Sequence, residues 1–292
     1  MIYEFIRERR DYSVAKWALF FNVSRSGYYS YLLYVDERTA SRNALKIEIK
    51  RIFDDSGGTY GAKRICGVFR REGRKVSYKT IRRYMIQMDL ISVYNLYKKG
   101  RSLTDSRKSR GEGYPNLLSG KSFDKPRMVV CSDITYLKSG EGWDYLCVVK
   151  DIVSGDILGM ATSNNMKKEL VIQAFLNVQV RYKLPKGAVF HSDRGSQYTS
   201  NAFMSLLSLH GIKQSFSRVG MPGDNAWAES FFATLKKECI HFKHFATRDE
   251  LRQTVFTWIH CFYNSKRVQE RLGYLSPNNY VAMLLGDNAK VA

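Results

Sequence analysis

Three acidic residues stand in sequence contexts where an isolated carboxylate is unusual. Asp133 interrupts one apolar run, Asp193 follows another, and Glu229 lies in an aromatic-rich helical stretch, with 35 residues between the last two. Unit charges about 4 Å apart repel by roughly 4 kcal/mol near a protein surface. If the fold brings the three acids together, they need a bound cation to remain ionised. We therefore predict that they form a metal site.

Carboxylate oxygens are the ligands that Mg²⁺ and Mn²⁺ prefer. Two such ions about 3.5–4 Å apart activate a water or a 3′-hydroxyl and stabilise the leaving oxygen of an in-line phosphodiester displacement. Taken singly, each acid has a simpler explanation: Asp133 stabilises a turn, Asp193 caps the loop 194–197, and Glu229 faces solvent. All three in this order favour a metal-dependent enzyme that cuts and joins DNA.

Other polar residues near these acids are secondary candidates. Lys236 follows Glu229 by seven residues, about two helical turns, so it shares the same helical face and could contact DNA. Asn225, four residues before Glu229, could also point into the site. Asp151 and Asp156 flank a predicted hairpin turn, where Asp commonly makes local hydrogen bonds, so we leave them out of the site.

Positive charge is concentrated in the first part of the chain. The 292 residues carry a net charge of +20. Residues 1–125 contain 27 Lys and Arg against 13 Asp and Glu, a net +14, which leaves +6 for residues 126–292. A field of this sign attracts a polyanion. A basic surface can be merely solvated, but this one coincides with helix-turn-helix patterning and indicates double-stranded DNA as a partner.

Helix-turn-helix patterning occurs twice. Residues 13–33 are predicted to form two short helices about a turn, with Ser24 as N-cap of the second helix and Arg25 at its start, where it would meet a major groove. Further helices are predicted over 44–53 and 62–72.

A last helix of this region is predicted to begin at Ser77. Its apolar residues Ile81, Met85 and Met88 are expected to face inward. Its basic residues are expected to project towards DNA phosphates or base edges, and they are Lys79, Arg82 and Arg83.

From residue 127 the pattern changes from helices to strands. Strands and helices are predicted in the following order: strands 127–137, 143–152 and 157–163, helix 167–182, strand 187–192, helix 201–210, strand 213–217, and helices 226–242 and 248–263, the last with a capping box at Thr247 and Glu250. This order predicts an α/β, ribonuclease-H-like domain, a mixed five-stranded sheet with helices on both faces.

These elements divide the chain into four predicted segments. They are an N-terminal helix-turn-helix segment (1–42), a second helix-turn-helix-like DNA-binding domain (43–97), a linker (98–126) and a catalytic domain (127–292). The fold class is thus an α/β catalytic domain preceded by all-α domains.

The cysteine and hydropathy patterns indicate the kind of cellular environment in which the protein is expected. Five scattered cysteines form no Cys-x-x-Cys pair, which is typical of free thiols in a reducing cytoplasm. Cys239, His241 and His244 cluster without a fourth ligand, so we predict no zinc site there. No apolar run is long enough to span a bilayer, so no membrane partner is expected.

Several stretches together resemble the OrfB-type transposases of bacterial insertion sequences, which are related to retroviral integrases. The most specific are His-Ser-Asp-Arg-Gly-Ser-Gln-Tyr at 191–198 and Gly-Asp-Asn-Ala-Trp-Ala-Glu-Ser-Phe-Phe at 223–232. The resemblance also covers 23–29, 58–65, 132–136, 235–238, 262–264 and 272–277, and so runs over nearly the whole chain.

This resemblance implies that Asp133, Asp193 and Glu229 are the Asp-Asp-Glu triad of a polynucleotidyl transferase and that Lys236 is the basic residue following the glutamate. It implies two Mg²⁺ ions per site, with Mn²⁺ possible, and cleavage that frees 3′-hydroxyls to attack another phosphodiester. The expected partners are terminal repeats and target DNA, a homo-oligomer on paired ends, and a fused or bound upstream-frame DNA-binding protein. The expected location is the bacterial cytoplasm, on the nucleoid.

Two positions depart from the family pattern. Val130 stands where a Trp is frequent three residues before the first Asp, and Gln269 stands where a His is common. Neither is one of the three acids, so these departures bear on fine geometry or DNA contacts rather than on catalysis.

Two other functions fit part of the pattern. One is a catalytically silent DNA-binding regulator or inhibitor of transposition, against which the intact set of three acids argues. The other is a ribonuclease-H-type nuclease that only hydrolyses, which the paired helix-turn-helix units and the 35-residue interval disfavour.

Overall fold

The computed structural model describes residues 2–9, 11–96, 115–218 and 222–286. The chain divides into two compact units, Met1–Ile65 with Val76–Ile91, and Cys66–Lys75 with Ser92–Ala292. Residues 98–114 of the predicted linker lie outside the described residues. None of the helices in the described ranges combines the length and apolar character needed to cross a bilayer.

The part of the chain before residue 97 is helical. Its helices are α1 (Ile2–Glu8), α2 (Val14–Phe20), α3 (Arg25–Asp55), α4 (Ala62–Arg71), α5 (Tyr78–Gln87) and α6 (Val93–Leu96). Two predicted N-caps are confirmed, because Ser24 Oγ accepts from the Gly27 N–H at 3.2 Å and Ser77 Oγ accepts from the Thr80 N–H at 3.1 Å. An N-cap of this kind satisfies a free backbone donor in the first turn.

The prediction of separate helices over 25–33 and 44–53 is wrong, since α3 is one continuous helix of 31 residues. Residues 34–43 contain no Gly or Pro to stop the helix. They are almost all exposed, so they lack the apolar periodicity that a buried helix face would show. The predicted segment boundary after residue 42 therefore falls inside α3.

The part of the chain after residue 127 contains a five-stranded sheet. Its strands are β1 (Val129–Ser139), β2 (Gly142–Asp151), β3 (Ile157–Ser163), β4 (Val189–Ser192) and β5 (Lys213–Phe216), in the order β3-β2-β1-β4-β5. β2 is antiparallel to β1 and β3, whereas β4 is parallel to β1 and β5. The predicted mixed five-stranded sheet is confirmed.

Helices cover both faces of the sheet, as predicted. They are α7 (Lys168–Tyr182), α8 (Asn201–Leu209), α9 (Ala226–Leu235) and α10 (Arg248–Thr257), and a further helix, α11 (Pro277–Leu284), follows them in the chain. On one face Phe175 of α7 and Phe203 of α8 pack with Phe190 of β4. On the other face Phe231 of α9 and Val255 of α10 lie in a second core cluster.

The helices predicted over 226–242 and 248–263 are not α-helical throughout. Each changes to π-helical winding near its end, over Lys236–Ile240 and Trp258–Tyr263. In the first of these turns the His241 N–H donates to the Lys236 carbonyl at 2.7 Å, an i→i+5 bond. Such π-turns are frequent at functional sites, and this one begins at a candidate site residue.

The predicted capping box before α10 forms with one difference. The Glu250 N–H donates to Thr247 Oγ1 at 3.1 Å, as expected. The Glu250 carboxylate, however, accepts from the Ala246 N–H at 2.9 Å, one residue before the N-cap.

Asp151 and Asp156, the two acids beside the turn between β2 and β3, differ in their hydrogen bonding. Asp151 accepts from the Arg127 N–H at 2.9 Å and the Ser154 N–H at 2.8 Å, so its predicted turn role is confirmed. Asp156 differs, because its side chain is buried and Oδ1 has no hydrogen-bond partner within the described residues.

Candidate active site and exposed basic helix

The register between β1 and β4 relates Asp133 to Asp193. The two strands are parallel, and their last paired residues are Cys131 and His191. Continued for two residues, this register sets Asp133 opposite Asp193, which directly follows β4. Adjacent strands lie about 4.8 Å apart, and equal pleat positions share one face. This register predicts that the two aspartates lie side by side on the same face of the sheet, near the C-terminal end of β4.

Glu229 lies in the first turn of α9, which packs against β1. Ala228 is completely buried in a cluster with Cys131 of β1. Asn225 Nδ2 donates to the Ser132 carbonyl at 3.5 Å, and Asn225 Oδ1 is buried with no hydrogen-bond partner in the described ranges. These contacts hold the start of α9 beside the strand segment that carries the first aspartate.

The pKa of Asp133 is affected by the charges of the other candidate residues, Asp193, Glu229 and Lys236. The pKa of Asp133 is raised to about 7, chiefly by burial and then by the negative charge of Asp193. The Ile134 N–H, which donates to Asp133 Oδ1 at 2.8 Å, opposes this shift, as does the positive charge of Lys236. The charge of Glu229 adds to the increase. The charges of Asp193 and Glu229 thus both act on Asp133, and proximity of like charges is the physical reason.

Asp193 is held by the loop that follows it. Its Oδ1 accepts from the Gly195 N–H at 3.0 Å, so it caps this loop. Desolvation raises the pKa of Asp193, and the bond from Gly195 opposes that increase.

The donor set suits a hard divalent cation, because it consists of carboxylate oxygens only. Among the residues that the structure describes, however, no group of three or more His, Cys, Asp or Glu side chains is already arranged to hold a metal ion. Asp133 is half-buried, whereas Asp193 and Glu229 are exposed. The acids are electrostatic neighbours rather than a preformed cage.

Lys236 connects the acids to an aromatic side chain. Its Nζ lies 4.9 Å from the centre of the Tyr136 ring. Desolvation lowers the pKa of Lys236, and the charge of Asp133 opposes that decrease. Lys236 therefore contacts the Tyr136 ring and lies close enough to Asp133 for its pKa to respond to the Asp133 charge.

Sequence reasoning gave no role to His191, which holds three elements together. Its Nδ1 lies 2.9 Å from Ser215 Oγ of β5, and its Nε2 lies 3.1 Å from Ser217 Oγ and from the Asp224 carbonyl before α9. Burial lowers the pKa of His191, which favours the neutral ring. Its position two residues before Asp193 was the available signal.

Helix α5 presents the predicted basic face. Ile81 and Met85 are buried, as predicted, and Met88 is half-buried. Lys79, Arg82 and Arg83 are exposed. A shallow groove of about 540 Å³ runs over this face and is lined by Tyr78, Lys79, Arg82, Arg83, Ile86 and Gln87.

Arg25 is exposed as the first residue of α3. A cation at a helix N-terminus is unfavourable against the helix dipole. An arginine there is consistent with contact to an anionic ligand.

Three family models match the chain. Residues 124–222 and 229–285 match two models that are both described as Integrase core domain, and residues 40–98 match the HTH-like domain family. The "Transposase for insertion sequence element IS904" of Lactococcus lactis is 36% identical over 84% of this chain and 96% of its own length. The "Transposase InsF for insertion sequence IS3A" of Escherichia coli is 33% identical over 96% of this chain and 98% of its own length.

Among solved structures, the HTLV-2 integrase catalytic core domain in complex with magnesium is similar with a TM-score of 0.39 and 19% identity. The similarity covers 51% of this chain and 93% of that one.

Proposed function

The chain belongs to the insertion-sequence transposases that combine an HTH-like domain with an integrase core domain, and we propose that Asp133, Asp193 and Glu229 are its catalytic, metal-binding carboxylates. Its function is DNA transposition, and its activity is that of a polynucleotidyl transferase. The observation that carries the site proposal is the register that sets Asp133 opposite Asp193.

In this proposal the two aspartates provide the fixed side of the site. Asp133 lies in β1 and Asp193 directly follows β4, the parallel neighbour of β1, so the pairing of these strands governs the distance between them. Glu229, exposed in the first turn of α9, is proposed as the third ligand, since α9 packs against β1. When bound, two divalent ions, Mg²⁺ or Mn²⁺, would activate the attacking oxygen and stabilise the leaving oxygen.

Lys236 and Asn225 assist this site. Lys236 provides a positive charge beside Asp133 that suits a DNA phosphate. Asn225 has an unpartnered buried Oδ1 next to Ser132, and its amide holds the start of α9 on β1. Asn225 is therefore a positioning residue, whereas Lys236 contacts the substrate.

The DNA partners follow from the basic helices. The exposed residues of α5 and Arg25 of α3 are proposed to bind the terminal repeats, while the acid site receives the scissile phosphates of those repeats and of target DNA. Assembly as a homo-oligomer on paired ends, with a fused or bound upstream-frame DNA-binding segment, completes the proposal and is supported by the sequence resemblance alone.

Incubation of the protein with labelled duplexes carrying the terminal repeats that flank its gene, in the presence of Mg²⁺, tests the function. We expect strand cleavage followed by joined products. Nicked products alone would indicate a nuclease, and retention of the DNA without cleavage would indicate a regulator.

The matched variant in the same assay is Asp193→Asn. It removes one negative charge at nearly constant side-chain volume. We expect unchanged DNA binding and loss of cleavage by at least about a hundredfold, in the range seen when one essential transition-state contact is removed. Full cleavage activity in Asp193→Asn would refute the site assignment.

A further inference from the structure

Part of the β1–β2 hairpin presents large aromatic side chains to solvent. Ile134 of β1 packs against the core beneath α7 and α8, but Tyr136, two residues further along the strand, is 38% exposed. Trp143, the cross-strand partner of Lys138, is 49% exposed. The helices thus cover only the first half of this face.

The exposed aromatics form an ordered pair flanked by lysines. The rings of Tyr136 and Trp143 lie 5.2 Å apart in an edge-to-face arrangement. Lys236 Nζ lies 4.9 Å from the Tyr136 ring centre, and Lys138 Nζ lies 6.0 Å from the Trp143 ring centre. We call these four residues the aromatic–basic surface.

This surface adjoins the proposed active site. Tyr136 follows Asp133 by three residues on β1, about 10 Å along the strand, so its side chain leaves the strand on the opposite face from Asp133. Lys236 links the two, because it contacts the Tyr136 ring and its charge acts on Asp133. A DNA strand with one phosphate at Lys236 would carry its next bases over the aromatic pair.

We propose that the aromatic–basic surface binds unpaired bases of DNA beside the phosphodiester presented to the three acids. Aromatic rings interleaved with cations are the combination that binds single strands without sequence preference. In a duplex the base faces are occupied by neighbouring bases, so side-chain rings gain little there. The proposal rests on the proposed function, since it assigns the surface to the same DNA strand.

The test measures binding of the full chain to two DNAs of the same sequence in EDTA, by fluorescence anisotropy. One is a blunt duplex, and the other ends in a short unpaired 3′ tail. We expect the wild-type protein to prefer the tailed duplex. Trp143→Leu should weaken tailed-duplex binding about tenfold, which is within the range for loss of one stacked base, and leave blunt-duplex binding unchanged.

Two variants serve as controls. One tests whether an aromatic ring at position 143 is sufficient, and the other tests whether loss of any exposed aromatic side chain weakens binding. Trp143→Phe keeps an aromatic face and should retain most of the affinity for the tail. Phe256→Leu removes an aromatic side chain that is 54% exposed on α10 and should change neither affinity. Equal losses on both duplexes would show a duplex-binding surface. An unaffected Trp143→Leu variant, or equal losses in Trp143→Leu and Trp143→Phe, would also overturn the proposal.

Photocrosslinking of the wild-type protein gives a second measurement that does not depend on variants folding. A tail containing 5-iodouracil should crosslink to Tyr136 or Trp143, as mapped by mass spectrometry, and crosslinks only elsewhere would overturn the proposal. Neither experiment requires metal or cleavage. If the protein binds the tail but does not cleave DNA, the proposed metal site is wrong and this inference stands. If it cleaves DNA but does not prefer the tail, this inference is wrong and the proposed metal site stands.

Discussion

The carboxylate of Glu238 and the guanidinium of Arg267 form a two-point ion pair, with Nη2–Oε1 and Nε–Oε2 distances of 2.7 and 2.8 Å. The Glu238 side chain is 0% exposed and that of Arg267 is 6% exposed. The Tyr94 hydroxyl hydrogen-bonds the same carboxylate. Glu238 lies two residues after Lys236 in the π-helical turn, so the pair fixes the backbone that carries Lys236.

Removing Arg267 is expected to destabilise the protein strongly. Arg267→Met leaves the buried Glu238 charge uncompensated, which typically costs about 3–5 kcal/mol. The double variant Arg267→Met/Glu238→Gln should recover part of that loss, because it removes both charges. Urea unfolding measures the free energies. A loss below about 1 kcal/mol in the single variant would show that the pair does not stabilise this turn.

Close packing of β3 on α7 makes Gly159 irreplaceable. A Cβ at this position would lie 2.6 Å from the Ala174 carbonyl oxygen and 3.1 Å from the Val178 nitrogen, both backbone atoms. We expect Gly159→Ala to lower the unfolding free energy by about 1–3 kcal/mol, the usual cost of overpacking.

The matched control is Gly61→Ala, whose added Cβ meets nothing within 4 Å. Thermal or urea unfolding of the two variants should separate them clearly. Equal stabilities would contradict the packing of α7 on β3.

The fold of the second half could be predicted because its strands are bounded by turns and its helices have apolar faces. The middle of α3 could not be predicted, because residues 34–43 have no buried face. Apolar periodicity indicates a helix only where one face of that helix is buried. The ion pair of Glu238 and Arg267 was equally hidden, because 29 positions separate the two and each alone resembles a surface charge.

The three acids could be named from their flanking residues, but their relationship could not. The position of Asp133 relative to Asp193 depends on the pairing of β1 with β4, which sets Cys131 opposite His191. A shift of one residue would turn Asp193 to the other face of the sheet. Register of this kind is decided by tertiary packing and does not appear in local sequence.

Stability is expected to decrease as the pH rises from about 4 to about 7. The pKa of Asp156 is raised to about 7, chiefly by burial and then by the negative charge of Asp151. In that window the folded state keeps a proton that the unfolded chain has released, so stability falls by up to about 1.4 kcal/mol per pH unit and levels off above pH 7.

Asp156→Asn removes this contribution. Asp133 shifts in the same direction, to about 7, so the difference between variant and wild type isolates Asp156. Urea unfolding across pH 4–8 should give a flatter profile for Asp156→Asn. Parallel profiles would contradict a raised pKa at this carboxyl.

The exposed face of α5 is expected to contribute phosphate contacts. Lys79→Ala and Arg82→Ala should each weaken binding to the terminal repeat and reduce the slope of log K against log salt by about 1. Lys213→Ala, an exposed lysine on β5, is the charge-matched control. Salt titrations that give the same slope for all three variants would show that α5 does not meet DNA.

Binding of Mn²⁺ to the protein–DNA complex tests the central claim most directly. Electron paramagnetic resonance of the complex with a terminal-repeat duplex should detect bound Mn²⁺ in the wild-type protein. Asp133→Asn, Asp193→Asn and Glu229→Gln should each reduce the affinity for that ion at least about tenfold, the scale seen even for outer-shell partners of metal sites. Unchanged Mn²⁺ binding in any one of the three variants would contradict a site that all three acids share.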